Sequence, residues 1–189
     1  MKEKIIVKPY ATPCGIIVLG STGEKLCLCE WPGEDSAGCN DIGRMLRARS
    51  ITVMARRLKA EFEEGTSAVI EKAAGQLDEY FDGRRTVFDL PIVFAGTDFQ
   101  RMVWSEIAKI YFGHTISYGE LARRIGRPSS VRAVANATGA NVISVIVPCH
   151  RVIGSDNSLT GYAGGLNRKE SLLTLEGTLH PQTCSEEKE

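Results

Sequence analysis

Ile116-Ser117-Tyr118-Gly119-Glu120-Leu121-Ala122-Arg123-Arg124-Ile125-Gly126-Arg127-Pro128-Ser129-Ser130-Val131-Arg132-Ala133-Val134-Ala135-Asn136-Ala137-Thr138-Gly139-Ala140 reads as two short helices about a tight turn. Ser117 and Glu120 have capping-box spacing: the serine caps the first helix and the glutamate reaches back. Gly126 stops that helix. Arg127-Pro128-Ser129 turns the chain, and Ser129 or Ser130 caps a second helix that ends near Ala140. Such a pair is a helix-turn-helix candidate. The second helix offers only Arg132, Asn136 and Thr138 as polar groups. Alanines and a glycine cannot read base edges. They permit close approach to a shallow minor groove, or dense packing in a core; both readings stand at this point.

Downstream, the apolar run Val145-Ile146-Val147 reads as a buried strand, followed by Pro148-Cys149-His150-Arg151 and a polar, glycine-bearing stretch to Gly165. A cysteine beside a histidine at a strand mouth suggests a nucleophilic thiol, although free cysteine often only packs. A free thiol, with a pKa of about 8.5, is only a few per cent ionised at neutral pH and needs activation. In a strand, Cys149 and His150 would face opposite ways, so the backbone is expected to leave strand geometry at Pro148-Cys149.

Upstream, Ile5–Val7, Gly15–Leu19 and Leu26–Cys29 read as antiparallel strands, with a turn at Ser21–Glu24. Residues 41–62 carry helical periodicity through Met45, Leu46, Val53, Met54, Leu58 and Phe62. Their arginines form a solvated face. Residues 67–82 make an amphipathic helix stopped by Gly83. Phe88 to Ala95 is extended, and Gly96-Thr97 marks a domain boundary. Asp98 to Ile110 is a further helix with Phe99, Met102, Val103, Ile107 and Ile110 inward. The last helix runs through Lys169, Leu172, Leu173 and Leu175 to near Glu176. The expected organisation is α+β: an N-terminal α/β domain over 1–95 with a small antiparallel, ribonuclease H-like sheet, a mainly helical domain over 96–178, and a disordered tail over 179–189.

The 189 residues suit one large or two small domains. No apolar h-region or membrane-length segment is present, so a cytoplasmic location with reduced thiols is expected. The six cysteines, Cys14, Cys27, Cys29, Cys39, Cys149 and Cys184, are irregularly spaced. They fit neither a disulfide framework nor a standard zinc pattern, although Cys14, Cys27, Cys29 and Cys39 are the set that would be available to a metal. Net charge is zero, yet residues 96–176 hold 9 Lys/Arg against 6 Asp/Glu. Sequence-independent binding to a polyanion should therefore be weak and salt-sensitive.

The ordered landmarks add up. Gln76-Leu77, Tyr80–Gly83, Gly96-Thr97, Phe99-Gln100, Val103-Trp104, Ile116–Ala122, Arg132–Val134, Asn141, Val147–Gly154, Gly161–Gly165, Lys169, Leu172-Leu173 and Glu176 closely resemble the O6-alkylguanine-DNA alkyltransferases, over about residues 67–177. The resemblance implies that Cys149 accepts the alkyl group, His150 takes the thiol proton through a water, and Glu176 orients the imidazole. Asn141 pins the turn. Arg132 fills the stack left by a flipped base, and Tyr118 assists flipping and protonates the departing guanine. Ala133 and Asn136 lie against DNA; Gln100, Arg127 and Ser155 contact phosphate or sugar. Backbone groups of Cys149, Val152 and Ala163 grip the guanine, and Tyr162 shapes the pocket. The implied partner is alkylated double-stranded DNA, met by a monomer in the minor groove, with no membrane and no obligate protein partner. No nucleotide or metal cofactor is implied.

Three departures from the family pattern stand out: Val142 follows Asn141 where proline is usual, Asn157 replaces a loop glycine, and Tyr111 replaces a proline. A looser turn is expected from the first, and little harm from the second because asparagine tolerates positive φ. Rival readings are a non-catalytic lesion binder, which would lack Cys149; a thiol hydrolase, which would not explain Arg132; and a regulator fused to the family domain, for which few residues precede the motif-bearing part.

Overall fold

The computed structural model describes residues 3–32 and 41–179. Strands β1 (Glu3–Thr12), β2 (Gly15–Thr22) and β3 (Lys25–Glu30) form the expected antiparallel meander. Val18, Leu19, Leu26, Cys27, Leu28 and Cys29 are all fully buried. A strand buried on both faces reads as a continuous apolar run rather than an alternating one. Helix α3 (Ala68–Phe81) packs on β1, β2 and β3. It is capped by Ser67, whose hydroxyl accepts from the Ile70 amide.

The stretch 41–62 departs from expectation. It holds α1 (Ile42–Met45) and α2 (Arg49–Leu58), but Phe62 lies in a strand, β4 (Ala60–Glu64). Lys59 adopts a left-handed conformation at φ 52° and closes α2. The following residues pair with the free edge of β1 in parallel, with Ile5 opposite Phe62. Hydrogen bonding along that edge outweighs the helical period. The sheet is therefore mixed, in the order β3-β2-β1-β4.

The second half carries α4 (Asp98–Ile107), β5 (Ile116–Ser117), α5 (Tyr118–Arg124), α6 (Val131–Gly139), β6 (Val152–Ile153) and α7 (Leu166–Leu175). Helices α5 and α6 form the expected pair, with Gly126 at φ 70° between them. Two details differ from the sequence reading. Ser117 caps α5 by accepting from the Glu120 amide, but the Glu120 carboxylate pairs with Arg123 and Arg124 instead of reaching back. The full capping box lies at α4: Thr97 accepts from the Gln100 amide, and the Gln100 side chain accepts from the Thr97 amide. Met102 is 42% exposed, because Val103, Trp104 and Ile107 define the buried face and Met102 lies off it.

The apolar run Val145-Ile146-Val147 is buried but is a turn, not a strand. Val145 sits at φ 70°, a left-handed conformation that β-branched residues avoid. Pairing of β5 with β6 in parallel brings Tyr118 beside the residues that follow Cys149. β3 gathers distant segments. Leu26 exchanges backbone bonds with Pro91 and Val93 within the first half, and the Cys29 amide joins the halves by donating to the Val142 carbonyl at 2.9 Å. The described cysteines, Cys14, Cys27, Cys29 and Cys149, are free thiols, and no metal-ligand cluster occurs among the described residues. Cys39, Cys184 and the expected tail beyond Leu179 lie outside them. No helix among the described residues is long and apolar enough to cross a membrane.

Gly96 shows how tightly the α4 junction is packed: a Cβ there would collide with the Trp104 ring and touch Gln100. Gly96→Ala is expected to destabilise the fold by about 1–3 kcal/mol, read as a lower urea midpoint.

Candidate active site

Asn141 builds the turn that presents Cys149. Its Nδ2 donates to the Val147 carbonyl at 3.1 Å and to Cys149 Sγ at 3.3 Å, while its Oδ1 accepts from the Ile143 amide at 3.0 Å. One side chain thus closes a loop of eight residues onto the sulfur. Val142 is buried, and its carbonyl is tied to β3, so the position after Asn141 is firmly held without proline. Asn157 adopts φ 63°, as expected of asparagine in place of glycine. Tyr111 is exposed.

Cys149–Arg151 form a short 3-10 helix. Three residues per turn set successive side chains about 120° apart, not opposite as in a strand. The Cys149 thiol is 6% exposed. Burial pushes its pKa up to about 11, against which the Asn141 bond works. At rest it is therefore a neutral thiol.

His150 is fully buried, and its Nε2 lies 2.8 Å from Glu176 Oε1. A carboxylate accepts, so Nε2 carries the hydrogen and Nδ1 keeps a lone pair. Nδ1 has no hydrogen-bond partner among the described residues. Burial lowers the imidazole pKa, and Glu176 opposes the shift, so the ring is a neutral base at neutral pH. Glu176, at the end of α7, also accepts from Arg151 Nε at 2.8 Å, Arg151 Nη2 at 2.9 Å and the Tyr80 hydroxyl at 2.6 Å. Burial alone would raise the carboxyl; bonds from His150 and Arg151 hold it well below the usual range.

A cavity of about 530 Å³ is lined by Tyr118, Arg132, Asn136, Tyr162 and Ala163, among others, and its two tyrosines lie near the Cys149 sulfur. Burial, and then the adjoining Cys149 sulfur, raise both the Tyr118 and Tyr162 hydroxyls above their ordinary pKa. Tyr118 donates to the Thr160 and Gly161 carbonyls, each at 3.3 Å. Lys169 reaches from α7 to the Val152 carbonyl at 2.6 Å and the Thr160 carbonyl at 2.8 Å, fixing the loop that bounds the cavity.

Not every expected residue joins this cavity. Val152 is buried and does not line it, and Ala133, Arg127 and Ser155 are exposed outside it. Gln100 lines a different cleft, of about 680 Å³, between α2, α4 and α6. Its side-chain oxygen is engaged by Thr97 and Arg57, so the structure places it in a cap and a bridge between halves. Sequence reasoning assigned no role to Tyr80, Arg151 or Lys169. A signal was present for two of them: Arg151 stands between apolar runs, and Lys169 falls three and four positions before Leu172 and Leu173, on the buried face of α7.

Fold and site define a helix-turn-helix protein with a buried thiol beside an imidazole–carboxylate pair. The family described as 6-O-methylguanine DNA methyltransferase, DNA binding domain, matches residues 98–178. The methylated-DNA–protein-cysteine methyltransferase of Mycobacterium tuberculosis is 52% identical over 109 residues, 58% of this chain and 66% of that protein. The Mycolicibacterium paratuberculosis protein of the same name is 52% identical over 113 residues, 60% of this chain and 68% of the relative. Thus the matched segment spans about two thirds of these relatives. The solved O6-methylguanine methyltransferase of M. tuberculosis superposes with a TM-score of 0.72 at 37% identity, covering 95% of this chain and 96% of that one. Its compatriot OGT in complex with DNA gives 0.70 at 39%, covering 92% of each chain. The chain belongs to the methylated-DNA–protein-cysteine methyltransferase family.

The Glu176 hub sets an acid-stability prediction. A carboxyl lowered in the fold contributes stability above its unfolded pKa, and that contribution fades as pH falls toward the folded value. Glu176→Gln is expected to cost about 3 kcal/mol or more at neutral pH, since it leaves Arg151 buried without its counter-charge. The gap to the parent protein should narrow in denaturant melts at progressively lower pH, below about 4.5.

Proposed function

We propose that this protein repairs DNA by moving the alkyl group of O6-alkylguanine irreversibly onto Cys149. The observation that carries this reading is the thiol's place: next to the His150–Glu176 pair in the chain and near the tyrosines of a cavity whose wall includes the second helix of a helix-turn-helix. The names of the relatives support the same activity. The alkyl carbon is out of reach inside a duplex, so the base must be flipped out. Arg132, on the cavity rim, fills the vacated stack, and the small residues Ala133 and Ala135 let α6 lie against a minor groove. Asn136, Arg127 and Ser155 face the DNA backbone.

In the reaction the Cys149 sulfur bonds to the alkyl carbon as the carbon–O6 bond breaks. The thiol proton passes through a water to His150 Nδ1, and Glu176 stabilises the imidazolium. The bond pair leaves with the guanine, and Tyr118, kept a neutral phenol, supplies a proton at N3. Backbone groups of Val152, Ala163 and Cys149 hold the guanine edge, and Tyr162 closes the pocket. A thioether has no good leaving group, so each molecule acts once, as a monomer, on double-stranded DNA and without cofactor. We place the protein in the cytoplasm and divide it at Gly96-Thr97. The strand order, with three antiparallel strands and the fourth parallel to the first, supports a ribonuclease H-like sheet in the first domain.

Duplex DNA bearing O6-methylguanine is expected to add one methyl group to the intact protein, mapped to the Cys149 peptide, with no turnover beyond one equivalent. Binding without methyl transfer would instead mark a non-catalytic lesion binder. Cys149→Ala should bind the duplex and not react. His150→Ala should slow single-turnover transfer by about 10²–10⁴-fold. In the parent protein the rate should fall toward acid as His150 gains a proton, with a midpoint below the ordinary histidine value of about 6.5 because burial favours the neutral ring. Arg132→Ala should slow transfer from duplex DNA by roughly tenfold while sparing transfer from the free alkylated base.

A further inference from the structure

Resting on that reading, we propose that Glu30, from the N-terminal half, is a positioning residue for the acceptor thiol and acts through Ser144. Glu30 ends β3 and is 2% exposed. Its Oε1 accepts from the Trp31 amide at 2.8 Å, and its two oxygens lie 3.0 and 3.1 Å from the Ser144 hydroxyl. Ser144 is fully buried in the Asn141–Cys149 turn, next to Val145 with its left-handed backbone. Its hydroxyl lies beside both the Cys149 thiol and the Tyr162 phenol and favours their ionised forms. Trp31 closes the circuit by donating from Nε1 to the Tyr162 hydroxyl at 3.1 Å. One carboxyl thus touches, through single intermediates, both the sulfur and the pocket wall.

Among the described residues Glu30 has no ion pair. The groups that face it are Cys29 on its own strand, Cys149 and Tyr162 across the turn, and Arg168 from α7, which sits over the Trp31 ring at 4.9 Å and acts through space. Burial pushes the Glu30 carboxyl up to about 8, against the Trp31, Ser144 and Arg168 contributions. At neutral pH it is mostly a neutral acid, able to donate its own hydrogen to Ser144 Oγ. The Ser144 hydrogen is then free to point at Cys149 and steady the developing thiolate. Once ionised, Glu30 can only accept. It draws the Ser144 hydrogen to itself and sets a negative charge against the thiolate.

The test compares the parent protein with Glu30→Gln, Glu30→Leu and Ser144→Ala, each first shown to melt cooperatively. Two rates are followed across neutral and alkaline pH: single-turnover methyl transfer from duplex O6-methylguanine, and labelling of the Cys149 peptide by iodoacetamide without DNA. Labelling of the parent should flatten as Glu30 ionises near pH 8, whereas Glu30→Gln should keep rising toward the thiol's own pKa near 11. Glu30→Leu should slow methyl transfer by about tenfold at neutral pH, the scale of one buried hydrogen bond, and Glu30→Gln should recover most of that loss. Adding Glu30→Gln to Ser144→Ala should leave the pH profile of the single serine variant unchanged, since the route runs through the hydroxyl. Superposable labelling profiles for the parent and Glu30→Gln, or a Glu30→Leu variant as fast as the parent, would overturn the proposal. The labelling arm needs no methyl transfer, so a parent protein that fails to repair DNA would sink the repair reading while the role of Glu30 is still decided.

Discussion

One buried carboxylate holds the active half of this molecule together. Glu176 accepts from His150, from two nitrogens of Arg151 and from Tyr80. These donors come from the 3-10 helix Cys149–Arg151 and from α3 in the other half of the chain, while Glu176 itself ends α7. A carboxylate taken out of water is costly unless its lone pairs are filled and a counter-charge is near. Arg151 supplies that charge and Tyr80 a neutral donor, which leaves the imidazole free to hold its own proton on one nitrogen and a lone pair on the other. The same contacts that make the ion tolerable select the tautomer that can act as a base.

Cys149 reveals the complementary constraint. Burial keeps the thiol protonated and inert. The protein does not lower that barrier with a cation in contact. It surrounds the sulfur with neutral hydrogen-bond donors, Asn141 and Ser144, and places Lys169 at a distance, where its own pKa is lowered to about 8 by burial. A sulfur so held is a weak nucleophile at rest, because the thiolate and not the thiol is the reactive form.

Much of this was legible in the amino-acid sequence. Local signals decided the meander, α3, and the helix pair with its Gly126 turn, because each depends on residues within a few positions. The thiol, its histidine and the pinning asparagine sit within ten residues, and motif order supplied Glu176. What escaped depended on distant partners. Phe62 looked helical because its period fits a helix, but the free edge of β1 decided its fate. Val145-Ile146-Val147 has strand composition, yet Asn141 bends it into a turn. The tie from Arg57 to Gln100 joins residues 43 positions apart and has no local signal. Tyr80 and Glu30 are ordinary in sequence; only the packing of one half on the other gives them a site to serve.

Tyr118 carries a consequence for what the pocket admits. Its hydroxyl already donates to the Thr160 and Gly161 carbonyls at 3.3 Å, longer than an ideal hydrogen bond. Whatever enters the cavity does not simply fill a space; it competes with two long-range acceptors for one proton. A group presenting a well-placed lone pair wins that exchange and takes the phenol with it. A group without one leaves Tyr118 tethered to the loop and enters without a partner. Discrimination at this wall is therefore a competition among lone pairs.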